Sequence, residues 1–159
     1  MSFAPLLLSL EVAIVATLLA TVVGVLLGTL LATRSFRGRD LIDVLVTTPM
    51  VLPPTVLGYY LLGALGRTSL IGRAYESVVG DTIVFTKVGA VVAATIGALP
   101  LVAKAARSAV EGVDPSLVAA ARTLGATETR AFATIVLPLA SRGILGGVML
   151  GFARALGDF

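Results

Sequence analysis

Twelve Lys and Arg, nine Asp and Glu, and no His or Cys make up the charged and nucleophilic inventory of this 159-residue chain. Without His, the commonest general base at neutral pH is missing. Without Cys there is no thiol nucleophile, no disulfide and no zinc site built on Cys or His. The carboxylates are scattered rather than paired, and no G-x-x-x-x-G-K-[ST] loop is present to cradle a nucleotide. A membrane enzyme is therefore the weakest reading. The residues whose spacing is informative serve a mechanical chemistry instead: "VDPSLVAAARTLGATETRAFATIVLP", residues 113–138.

Asp114 can accept a bond from a free backbone N–H, and Pro115 suits a first helical turn. The helix they start runs through "SLVAAARTL" to Gly125, a residue suited to the left-handed conformation that closes helices. Thr127 can cap a second helix, "ETRAFATIVL", which Pro138 is expected to bound. Leu117, Ala121 and Leu124 share one face at i, i+4 and i+7, while Ala119 and Ala120 keep the surface beside them low. A helix of about ten residues is unstable alone in water. It must either pack on its own chain as an ordinary linker or dock into another protein.

The elements that position this stretch are apolar. Hydrophobic residues make up 57% of the chain and charged residues 13%, against about 45–50% and about 25% in soluble domains. Lipid is the expected solvent, and the expected fold is an all-α membrane protein forming a single transmembrane domain over residues 1–159. Four spans are predicted. Span one covers residues 5–33, interrupted only by Glu11, and lacks the basic start and short core of a signal peptide. Span two, residues 41–66, is broken by Pro49, Pro53 and Pro54; span three covers 88–111 and span four 138–157, with a loop over 112–137. Gly24 and Gly28 in span one, and Gly143, Gly147 and Gly151 in span four, form small-residue stripes that permit close helix contact, within the subunit or at a dimer seam.

Lys and Arg placement predicts orientation. Arg34, Arg37 and Arg39 follow span one, and Lys104, Arg107, Arg122 and Arg130 accompany the loop after span three. Only Arg67, Arg73 and Lys87 lie between spans two and three. The two richer loops should share the cytoplasmic side, which puts the N-terminus outside. The apolar ending "GFARALGDF" is expected to mark a C-terminal truncation of a longer protein; a non-transporting remnant is the alternative.

Permease subunits of bacterial ABC importers carry a signature E-A-A-x-x-x-G, nine residues, then I-x-L-P. Ala120, Ala121, Gly125, Ile135, Leu137 and Pro138 stand in that register, with Ala119 in place of the Glu. The chain resembles this family, and most of all its molybdate permeases. The stretches "LSLEVAIVATLLA", "TTPMVLPPTVLGYYLL" and "GDTIVFTKVGAVVAATIGALPLVAKAARSAVEGVDP" carry that likeness, while "AARTLGA" and "GFARALGDF" are similar to both molybdate and sulfate permeases. The resemblance implies an inner-membrane, multi-pass permease moving molybdate or tungstate, with sulfate or thiosulfate as the alternative substrate. It implies that Leu117, Ala119, Ala120, Ala121, Leu124 and Gly125, with Ile135, Leu137 and Pro138, form a coupling helix and corner seated in an ATPase subunit. ATP and Mg would be bound by that partner, leaving no cofactor, metal or catalytic residue in this chain. The other implied partners are an extracytoplasmic substrate-binding protein, membrane lipid and a second copy of the chain in a homodimer, with no nucleic acid. The family normally continues beyond this length, and it more often has Glu where Asp158 stands.

A tetrahedral dianion is costly to hold in hydrocarbon and must still be released, so hydroxyls and backbone N–H groups at helix breaks suit its path. Thr47, Thr48 and Thr55, flanking Pro49, Pro53 and Pro54, are the candidate pathway or gate residues. The alternative is that the threonines bond back to their own helix. Arg154 is the one cation deep within an apolar segment, expected to snorkel or to pair with Asp158; Glu11 is expected at the membrane interface.

Overall fold

The structure, a computed structural model, describes residues 3–157. Its elements are α1 (Ala4–Thr33), α2 (Arg39–Val51), α3 (Pro54–Leu65), α4 (Leu70–Val79), α5 (Lys87–Glu111), α6 (Pro115–Thr123), α7 (Glu128–Ala131), a π-turn (Phe132–Val136) and α8 (Leu137–Gly157). At a rise of about 1.5 Å per residue, the 30 residues of α1 extend about 45 Å, more than the about 30 Å of hydrocarbon in a bilayer. Among the described residues, three helical stretches are long and apolar enough to cross a membrane, Pro5–Thr33, Lys87–Glu111 and Glu128–Gly157, and Arg39–Val51 with Pro54–Leu65 meets the same measure as one bent pair.

The central helix is α5, with α1 and α8 packed along it. Their contact is made by small residues. One cluster joins Val12, Ala13, Ala16 and Ala20 of α1 to Ala94, Ala98 and Val102 of α5 and Ala155 of α8. A second joins Ala106 and Val110 of α5 to Val136, Ala140 and Ile144. Lipid tails are as apolar as leucine, so helices in lipid gain little by hiding large side chains and associate through close packing instead. The large residues accordingly face outward: Leu18, Val22 and Leu26 on α1, and Leu145 and Met149 on α8, are all exposed.

Both glycine stripes serve this packing within the subunit. A Cβ at Gly28 would run into the Ala103 carbonyl oxygen, and one at Gly24 would lie 3.0 Å from Val102 Cβ. On α8, a Cβ at Gly143 would lie 2.6 Å from Ala109 Cβ, and one at Gly147 would overlap Ala105.

The region expected to form a span over residues 41–66 is two short helices, α2 and α3, bent by 118° at their junction. Pro49 lies inside α2, and Leu52 leaves the helix with ψ 137° ahead of Pro53. A residue before proline is pushed toward extended backbone, and proline has no N–H with which to continue the ladder. The break divides the segment into two pieces, neither with a buried residue. The chain nonetheless passes from one end of the bundle to the other in this region. At one end Lys87 Nζ, opening α5, lies 3.2 Å from Glu11 Oε2 on α1. At the opposite end Arg39, just beyond α1, reaches Glu111, the last residue of α5, at 3.1 Å. Helices α1 and α5 are therefore parallel, α8 runs antiparallel to them, and residues 34–86 make the return.

Pro138 does not bound a helix as expected. It is the second residue of α8, and the helix from Glu128 passes through it to Gly157. The π-turn absorbs the proline: Leu137 donates its N–H to Phe132 O, five residues back, which widens the coil just where Pro138 has no N–H to offer.

Candidate coupling and translocation site

At the end of the bundle shared by the C-termini of α1 and α5, helix α6 rests one face on the second core cluster and leaves the other exposed. Its start is fixed by Asp114 Oδ1, which accepts from the Ser116 N–H at 2.8 Å, with Pro115 in the first turn. Its end is a Schellman closure: Gly125 N–H donates to Arg122 O and Ala126 N–H to Ala121 O, both at 3.0 Å. Gly125 adopts φ +86°. The next element is capped by Thr127 Oγ1, which accepts from the Arg130 N–H at 3.3 Å. With both ends closed and both flanks tied to long helices, nine residues hold a helix that would melt alone.

The two faces of α6 differ. Val118 packs against the second core cluster, and Ala121 is half-buried. Leu117 is 45% exposed, Leu124 is 88% exposed, and Ala119 and Ala120 are open. Of the expected coupling residues, Leu117, Ala120 and Leu124 present an outward ridge at i, i+3 and i+7, and Ala121 faces the chain. Ala119 borders a cleft of about 780 Å³ between α6, α7 and the ends of α1 and α5, whose rim carries Arg34, Arg122 and Glu128. Ile135, Leu137 and Pro138 lie apart from the ridge, at the π-turn and the start of α8. They shape the corner that carries α6.

The Ser116 backbone N–H holds the Asp114 carboxyl below its ordinary value of 3.8. Because the folded-state value is lowered, the cap's contribution is complete above 3.8 and is lost as pH falls through the folded value. Amide exchange should therefore show protection at Ser116 and Leu117 at neutral pH that fades on acidification below that range. Asp114→Ala should lack that protection at every pH, and equal protection in the variant at neutral pH would remove the cap from the account.

The candidate pathway residues lie together around the break between α2 and α3. Thr47 Oγ1 donates to Asp43 O at 2.8 Å and Thr48 Oγ1 to Val44 O at 2.7 Å, so both hydroxyl hydrogens point into their own helix. In this arrangement they offer an anion only lone pairs, and either hydroxyl must rotate to donate. Thr55 is exposed in the first turn of α3, where the positive end of the helix dipole opens onto the break. Arg154 is half-buried near the end of α8 and engaged in an interaction there, while Asp158 lies outside the described residues. Glu11 is exposed and paired with Lys87.

One group of charges was not anticipated from the sequence. Arg107 lies 3.0 Å from Asp43 and 2.9 Å from Glu111, and Glu111 also lies 3.1 Å from Arg39. The i, i+4 spacing of Arg107 and Glu111 is readable along α5, but their partners lie more than sixty residues away on α2.

Comparison with known proteins agrees with this architecture. The family described as binding-protein-dependent transport system inner membrane component matches residues 5–159. The molybdenum transport system permease protein ModB of Haemophilus influenzae is 42% identical over 159 residues, covering 100% of this chain and 69% of that protein. The protein of the same name from Escherichia coli strain K12 is 46% identical over 153 residues, covering 96% of this chain and 67% of its own length. A protein of Chlorella vulgaris named "Probable sulfate transport system permease protein cysT" is 32% identical over 153 residues, covering 96% of this chain and 57% of itself. The chain belongs to the family of binding-protein-dependent transport system inner membrane components, and is a membrane permease.

Proposed function

We propose that this chain is the permease subunit of an ABC importer that moves molybdate inward by ATP-driven alternating access. The observation that carries the coupling part is the outward ridge of Leu117, Ala120 and Leu124 on a short helix closed at both ends. Its low alanine surface lets a partner's backbone approach closely, and its ties to α5 and α8 turn a push on α6 into movement of the bundle. Reversing a 99:1 preference between two conformations takes about 5.5 kcal/mol of differential binding. An ATPase subunit docked on α6 would supply it.

The substrate assignment rests on the molybdenum permeases, at 42% and 46% identity, against 32% for the sulfate-named protein. The end of the bundle bearing α6, with Arg34, Arg37, Arg39, Arg122 and Arg130, is assigned to the cytoplasm by its excess of basic residues. Glu11 and Lys87 then face outward, where a substrate-binding protein delivers the anion. A second copy of the chain completes the pathway around the α2–α3 break.

Radiolabelled molybdate uptake tests this reading in vesicles holding the chain with a matched ATPase and binding protein. ATP-dependent uptake blocked by excess tungstate but not by sulfate is the expected result. Block by sulfate would move the assignment to sulfate, and ATP-independent entry would overturn it. Ala120→Glu places a charge on the docking ridge and should weaken co-purification of the ATPase by about tenfold or more. Undiminished co-purification would put the docking face elsewhere.

A further inference from the structure

Helix α2 has no buried residue, yet it lies against α5 in a fixed place. Half-buried Ile42 and Val46 lie on the same side of α2 as two residues that form ion pairs with α5. Asp43 and Arg39, four residues apart on α2, meet Arg107 and Glu111, four apart on the last turn of α5. Arg39, Asp43 and Arg107 are half-buried and Glu111 is more open. The Arg39 Nε is closed off from solvent without a hydrogen-bond partner, so the guanidinium is held by its Nη2 contact to Glu111.

Ion pairs this exposed contribute too little to account for cohesion of the bundle. Their value is geometric. Glu111 is the last residue of α5, and Asp114, three residues on, caps α6. The short link between them includes Val113, packed against the second core cluster. Displacement of α6 therefore reaches Glu111 with little slack. On the other side of the network, α2 leads through Thr47, Thr48 and Pro49 to the Leu52–Pro53 break. That break is about 15 Å from the ion pairs, at about 1.5 Å per residue.

We propose that Arg39, Asp43, Arg107 and Glu111 are positioning residues forming a tether that carries the movement of α6 to α2, and so to the proline break. The tether rests on the permease reading given above and adds a route to it. It touches neither the ATPase nor the substrate. Two-point attachment explains why four charges are used: a single pair lets α2 pivot, while pairs one turn apart fix its rotation as well as its distance.

The test uses the permease assembled with its ATPase and binding protein. Because the chain has no Cys, spin labels at Leu45→Cys and Ser116→Cys, in chains diluted with an excess of the unlabelled Cys-free chain, report the α2–α6 distance within one copy. Arg39→Gln with Asp43→Asn should broaden a narrow distance distribution, while Asp43→Arg with Arg107→Asp, which keeps the Arg39–Glu111 pair and reverses the charges of the other, should leave it narrow. In vesicles, the first pair of changes should leave ATP hydrolysis running while uptake per ATP falls by about fivefold or more, with no such fall in the charge exchange. An unchanged distance distribution overturns the tether. A broadened distribution with unchanged uptake per ATP overturns its role in transmission. If the unsubstituted assembly takes up no oxyanion, the permease reading fails, and the distance measurement still decides whether the tether exists.

Discussion

Gly28→Leu should abolish recovery of folded, monodisperse protein in detergent, while Gly146→Leu should leave it unchanged. The contrast follows from what each side chain would meet. A Cβ at Gly28 runs into the Ala103 carbonyl oxygen and lies 2.9 Å from both Ala106 Cβ and the Arg107 nitrogen. Two of these three atoms are backbone, so no rotamer change relieves the clash and α1 must move away from α5. Overpacking a well-filled core by a few methylenes costs about 1–3 kcal/mol. Here the displacement also opens the alanine contacts from Ala13 to Ala20, on which the bundle depends. A Cβ at Gly146 meets nothing within 4 Å. Size-exclusion profiles and thermal melts of the two variants decide the matter. Equal stability would mean that α1 and α5 are not seated as described.

Gly125→Val should uncouple ATP hydrolysis from uptake without unfolding the bundle. A Cβ at Gly125 would meet no atom within 4 Å, so crowding is not the cause. The cause is φ +86°, a left-handed conformation in which a β-branched residue is a genuine outlier. Left-handed backbone costs an ordinary L-residue about 1–2 kcal/mol, roughly a tenfold change in the population of the closed corner. To escape it, the chain must open the Gly125–Arg122 and Ala126–Ala121 bonds, and α6 loses its end. Leu117 and Leu124 then no longer lie on a fixed ridge. Uptake per ATP should fall by about tenfold with hydrolysis retained, and both are measured in the same vesicles. Gly125→Ala, without the β-branch, should fall between the two. Normal coupling in the valine variant would detach the corner from transmission.

Much of the architecture is legible in local chemistry. The caps at Asp114 and Thr127 and the left-handed Gly125 follow from residue type at fixed offsets, because a helix end is satisfied by its own neighbours. The glycine stripes announce close contact but not with what; only the structure shows α5 as the shared partner. The ion pairs of Arg39 and Asp43 are invisible in the sequence because their partners are set by tertiary placement. Prolines are ambiguous in a similar way. Pro100 sits inside α5 and Pro138 inside a continuous helix, while Pro53 ends one helix and redirects the next by 118°. All lack the same N–H, yet Pro100 is carried within unbroken α-helix, a π-turn precedes Pro138, and Pro53 follows a residue in extended backbone. Thr47 and Thr48 look like donors for an anion from their types alone, yet their hydroxyls serve their own carbonyls.

The π-turn before Pro138 also works as a phase shifter. An α-helix advances about 100° per residue, and a π-turn inserts one extra residue without adding a full turn. Everything beyond Val136 is therefore rotated relative to α7 by roughly that angle compared with an uninterrupted α-helix. With this offset, Gly143 and Gly147 face α5 while Gly125 and Thr127 are exposed to solvent. Deleting one residue between 132 and 136 would reset the phase, and the corner and the glycine seam could not both keep their orientations. The five residues thus fix the angle at which the bundle holds out the ridge of Leu117, Ala120 and Leu124.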